Sequence, residues 1–87
     1  MLDAKVRELI ALAVAVTLRC DGCITVHTEA AIKRGATRGE IAEALGVATT
    51  VNAGAALVYS TRVVDAFNEY PSAASPRDPD PLANPRR

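Results

Sequence analysis

The chain has 87 residues, which is enough for one domain at most. Ten basic and ten acidic residues cancel to a formal net charge of zero, and the aromatic rings are two tyrosines and one phenylalanine. No basic stripe is present to neutralise phosphates and few rings are present to stack on bases, so nucleic-acid binding has no support.

The first element is a helix over about Asp3–Leu18, with Asp3 placed to cap it. Its apolar set (Val6, Leu9, Ile10, Ala13 and Val14) follows three-four spacing before widening to nearly every face. The apolar run Leu9–Leu18 is too short to span a bilayer, which takes about 20 residues. The residues ahead of it mix Asp3 and Glu8 with Lys5 and Arg7, and Arg19 stands directly before Cys20. That is not the basic leader of a secretory signal. A cytoplasmic protein with no membrane association is expected. There, a close cysteine pair is more often catalytic or metal-binding than structural.

The second helix covers about Asp21–Arg34, with Lys33 and Arg34 near its end and Gly35 as its stop. A third starts at Thr37, where Thr37 and Glu40 make the T-x-x-E capping box, and presents Ile41, Ala44 and Leu45. Gly46 separates it from a fourth helix over about Val47–Tyr70, whose stripe runs through Val51, Ala55, Val58, Val63 and Phe67. In that helix Gly54 reads as a close helix contact, Tyr59 as core packing and Asn52 as a satisfied polar group at an interface. No strand pattern and no internal repeat occurs, so the expected fold is all-α, with about four helices in residues 1–70.

All five prolines lie at Pro71 or beyond, so residues 71–87 read as a Pro-rich extended or disordered tail. The first and fourth helices are apolar over more of their circumference than one small core needs. A helix that is apolar all round is buried all round, which predicts a homo-oligomer.

Chemistry concentrates in Cys20-Asp-Gly-Cys23-Ile-Thr-Val-His27. Spacings of three and four put these side chains on one helical face. The cysteines open the second helix, where unpaired N–H groups and the helix dipole favour a thiolate. His27, one turn on, is a base within reach of a thiol. If the first two helices form a hairpin turning near Arg19, Glu8 and His27 come within roughly one turn in height at about 1.5 Å per residue. Glu8 is the sole acid between Val6 and Leu18, and a carboxylate beside so much apolar surface needs a partner. Other readings of the same residues are buried inert thiols, a zinc site built on Cys20, Cys23 and His27 with a fourth ligand from Glu8, Asp21 or another subunit, and a redox-sensing oligomeric module.

Glu8, Cys20, Cys23 and His27 form the pattern E-x11-C-x2-C-x3-H, and here the chain resembles the AhpD-like alkylhydroperoxidases of the carboxymuconolactone decarboxylase-like superfamily. The resemblance continues through Ala30, Gly35, Thr37–Gly46, Asn52, Gly54 and Tyr59, covering nearly all of the body but not the tail. It implies an all-helical trimer or hexamer without a bound cofactor. It further implies that Cys23 attacks a small hydroperoxide, that Cys20 resolves the product as a disulfide, that Glu8 and His27 relay protons, and that an external dithiol protein reduces the pair. One position departs from the pattern. Gly22 stands where peroxidatic members carry a histidine directly before the second cysteine, which implies slower peroxide turnover with dithiol chemistry intact. Relatives with decarboxylase chemistry generally lack the cysteine pair, so that activity is the lesser reading.

Overall fold

A computed structural model describes residues 1–70. The expected tail, 71–87, lies outside the described residues. The described chain is all-helical: α1 is Ala4–Leu18, α2 is Asp21–Lys33 and α3 is Arg38–Glu69.

Local chemistry sets each boundary. Asp3 caps α1 by accepting from the Val6 N–H at 3.0 Å. α1 stops at Arg19, which adopts left-handed backbone (φ 57°, ψ 45°) while its N–H reaches back to the carbonyls of Ala15 and Val16. A non-glycine residue pays roughly 1–2 kcal/mol for that conformation. It reverses the chain within two residues and delivers Cys20 to the start of α2. α2 ends as expected at Gly35, whose φ of 86° suits glycine, and the Ala36 N–H closes the turn onto the Ala31 carbonyl at 2.9 Å. The capping box opens α3: Glu40 N–H donates to Thr37 Oγ1 at 3.1 Å and Thr37 N–H donates to Glu40 Oε1 at 2.9 Å.

The third and fourth expected helices are one. α3 runs 32 residues without interruption, about 48 Å at 1.5 Å per residue. Gly46 keeps ordinary negative φ, since Gly35 is the glycine with positive φ among the described residues. A helical glycine costs up to about 1 kcal/mol against alanine, which is too little to break a helix whose apolar stripe continues on both sides.

α1 is the centre of the fold. α2 and α3 each pack against α1 and not against each other. The buried residues are Leu12 and Ala15 of α1, Ala31 of α2 and Ala48 of α3. Alanine at three of these four positions lets the helix axes approach closely. Asn52 ties α3 to the end of α1: its Nδ2 donates to Thr17 Oγ1 at 2.9 Å and to the Ala48 carbonyl at 2.7 Å.

Beyond Ala48, every residue of α3 except Val64 is exposed in the single chain. Val51, Leu57, Val58, Val63 and Phe67 are all more than half exposed. Tyr59 is not core-packed; its ring is exposed, with the Arg62 guanidinium 4.5 Å from its centroid. Gly54 is not a close contact within the chain, because a Cβ there would meet nothing within 4 Å. Both observations have one reason: α1 is too short to accompany α3 along its second half. α3 is also long and apolar enough to cross a membrane by length and composition, a test that a core helix in an assembly passes equally.

Candidate functional site

The α1–α2 hairpin brings the four expected residues to one place. Glu8 lies in the second turn of α1, and His27 lies mid-way along α2. His27 Nδ1 and Glu8 Oε1 are 2.7 Å apart. The Glu8 side chain is 19% exposed and that of His27 is 36%. The carboxylate is therefore mostly shielded while the imidazole edge still meets solvent. A carboxylate is an acceptor only, so the hydrogen of this bond belongs to Nδ1. That leaves Nε2 to accept a proton from elsewhere.

Cys20 and Cys23 are joined as a disulfide, with Cα atoms 5.2 Å apart. Both are partly buried. Cys20 is the N-cap of α2, and its sulfur accepts a hydrogen bond from the Cys23 N–H at 3.3 Å. Sulfur thus occupies the capping position that a serine or aspartate oxygen usually fills. The two residues between the cysteines, Asp21 and Gly22, are exposed, and a Cβ on Gly22 would meet nothing within 4 Å. His27 follows Cys23 by one helical turn, on the same face.

Chemically, this is a sulfur pair that can be opened and closed, with one sulfur at a helix N-terminus and the other one turn from a carboxylate-oriented imidazole. Among the described residues, no group of three or more His, Cys, Asp or Glu side chains is arranged to hold a metal ion. A groove of about 320 Å³ between α1 and α3, lined by Leu9, Glu40, Glu43, Ala44 and Val47, touches none of the four site residues.

The turn expected near Arg19 is there, in left-handed backbone, and Asn52 is a satisfied polar group as expected, with Thr17 as its partner; the ion pair of Lys5 Nζ with Glu40 Oε2 at 2.9 Å was not singled out from sequence. That ion pair depends on how the helices cross.

Fold and site together make a small all-helical domain with a Cys20–Cys23 disulfide beside a paired histidine and glutamate. The chain belongs to the carboxymuconolactone decarboxylase family, whose sequence profile matches residues 1–66. That membership accords with the AhpD-like resemblance of the cysteine motif. An uncharacterized protein of Haemophilus influenzae is 57% identical over 68 residues, covering 78% of this chain and 60% of that protein. An uncharacterized protein of Cupriavidus necator is 37% identical over 67 residues, covering 77% and 59%. Uncharacterized protein 4 in the cox locus of Paracoccus denitrificans is 38% identical over 72 residues, covering 83% and 65%. The chain therefore spans about three-fifths of the length of the curated relatives it matches.

Proposed function

We propose that this protein is a thiol-dependent peroxidase that reduces small hydroperoxides through a Cys20–Cys23 dithiol–disulfide cycle. The observation that carries the reading is the 2.7 Å Glu8–His27 pair on the hairpin that also bears the cysteine pair. An inert structural disulfide has no use for an oriented imidazole one turn away.

In the reduced protein His27 Nε2 takes the Cys23 proton, and Glu8 stabilises the resulting imidazolium. The Cys23 thiolate attacks the outer oxygen of the hydroperoxide. The O–O bond breaks, and the departing alkoxide takes a proton from His27 to leave as an alcohol. Cys23 becomes a sulfenic acid. Cys20 gives up its proton, its thiolate attacks the Cys23 sulfur, and the S–O bond breaks as the leaving hydroxide takes that proton to become water. Hydroperoxide and two thiols have become alcohol, water and one disulfide. A dithiol partner protein restores the thiols by exchange, itself becoming a disulfide. The cycle uses no bound cofactor and suits the cytoplasm.

The working unit in this proposal is a homo-oligomer, a trimer or hexamer, that covers the bare second half of α3. Isolated helices are marginal in water, and packing of an apolar face usually supplies their stability. Light scattering at micromolar concentration checks this, and a monomer would refute it.

The deciding experiment is intact mass after cumene hydroperoxide and again after dithiothreitol, with alcohol product measured in parallel. Stoichiometric alcohol and reversible loss of two hydrogens, mapped to Cys20 and Cys23, is the expected result. Oxidation without alcohol, or no oxidation of the reduced thiols, overturns the peroxidase reading.

A further inference from the structure

Cys20 is at once a redox sulfur and the N-cap of α2. The Cys23 N–H already points at its sulfur in the disulfide, at 3.3 Å. When the S–S bond opens, that sulfur remains at a helix end whose first-turn N–H groups have no intrahelical partner. A thiolate there is stabilised by those groups and by the helix dipole.

The next residue is Asp21, the one acidic residue of the first turn of α2, and it is exposed. Its carboxylate interacts favourably with the helix dipole whether the cysteines are oxidised or reduced, so that contribution cancels between the two states. Its interaction with Cys20 does not cancel. In the disulfide the neighbouring sulfur is neutral. Once the S–S bond is open, a thiolate at Cys20 carries negative charge, and two like charges then share one helix end. Arg19 flanks Cys20 on the other side, and Glu8 and His27 engage each other. Gly22 offers no side chain to intervene.

We propose that Asp21 sets the redox balance of the pair, opposing the Cys20 thiolate and biasing Cys20–Cys23 towards the disulfide. Two electrons and one proton pass from a reductant dithiol, which becomes a disulfide and gives its second proton to solvent, leaving Cys20 as thiolate and Cys23 as thiol; Asp21 disfavours that direction. This rests on the dithiol cycle proposed above, but not on a hydroperoxide being the oxidant. The consequence is a pair that returns electrons readily and needs a strongly reducing partner to recharge it.

The test equilibrates the full chain in buffers of reduced and oxidised dithiothreitol at neutral pH, quenches with acid, alkylates and reads the dithiol fraction by mass. Asp21→Asn is expected to shift the equilibrium towards the dithiol by about two- to fivefold at low salt, the size of a charge interaction at a helix end. Asp21→Glu should match the parent chain. The shift should shrink in about 1 M salt, where screening acts within about 3 Å; a change in helix packing would not respond to salt in this way. An unshifted Asp21→Asn equilibrium, or a shift of equal size in high salt, overturns the proposal. A pair that equilibrates yet turns over no hydroperoxide sinks the peroxidase reading and leaves Asp21 its place. A pair that dithiothreitol cannot open sinks both.

Discussion

Glu8 Oε1 stands 2.7 Å from His27 Nδ1, across two helices and nineteen residues of sequence. The bond directs the free ring nitrogen, Nε2, away from the carboxylate. His27→Ala should slow hydroperoxide consumption by about 10²–10⁴-fold, the usual contribution of a positioned general acid–base. Glu8→Gln keeps the shape and loses the charge, and should cost about 10–100-fold, as for groups that orient another residue. Stopped-flow consumption of cumene hydroperoxide checks both. If Glu8→Gln slows the reaction more than His27→Ala, the order of the relay is wrong.

Removal of either sulfur should separate the two halves of the cycle. Cys23→Ser should abolish hydroperoxide reduction. Cys20→Ser should stop after one turnover, with Cys23 held as a sulfenic acid that dimedone captures. Dimedone adduct on Cys20 in the Cys23→Ser chain, at the parent rate, would reverse the assignment.

The exposed backbone at Gly22 accommodates a side chain, since nothing lies within 4 Å of a Cβ built there. Gly22→His should therefore fold normally. It should also raise the rate of hydroperoxide reduction, because a second imidazole would stand directly before Cys23. Circular dichroism and steady-state turnover test the two parts separately. A folded variant with an unchanged rate would mean that the glycine is not what limits turnover.

The Lys5–Glu40 pair joins the first turns of α1 and α3. Glu40 is held below the ordinary glutamate range, chiefly by the hydrogen bond from Lys5 and next by the Thr37 N–H; Lys5 is raised, first by its hydrogen bond to Glu40 and then by that residue's charge. A lowered acid adds stability above its unfolded value and loses it as pH falls through the folded one. A raised base adds stability below its unfolded value and loses it as pH rises through the folded one. The Glu40→Gln chain retains a capping side chain, so comparison with it isolates the charge. The gap in melting temperature should be widest around neutrality and close in acid, below the carboxylate range, and again above the lysine range. A gap that persists unchanged into acid would show that the charge contributes nothing.

Much of this was legible without coordinates, because the signals are local. Asp3 as cap, Gly35 as stop, and Thr37 with Glu40 as capping box are short-range hydrogen-bond arrangements written in adjacent residues. The cysteine–histidine face follows from helical spacing alone. Gly46 misleads for the converse reason. A glycine is a local weakness, whereas helix continuity is decided by the sum over the whole of α3, and one unfavourable residue does not outweigh it.

By itself, the sequence determined the all-helical class, the cysteine–histidine motif and the breadth of the apolar faces, all set by periodicity and short-range chemistry. Tertiary structure decided what depends on distance in space rather than in sequence. The hairpin at Arg19 brought Glu8 within a hydrogen bond of His27. The short α1 does not reach the second half of α3, where Tyr59 and Gly54 lie, since a helix of 15 residues cannot cover one of 32.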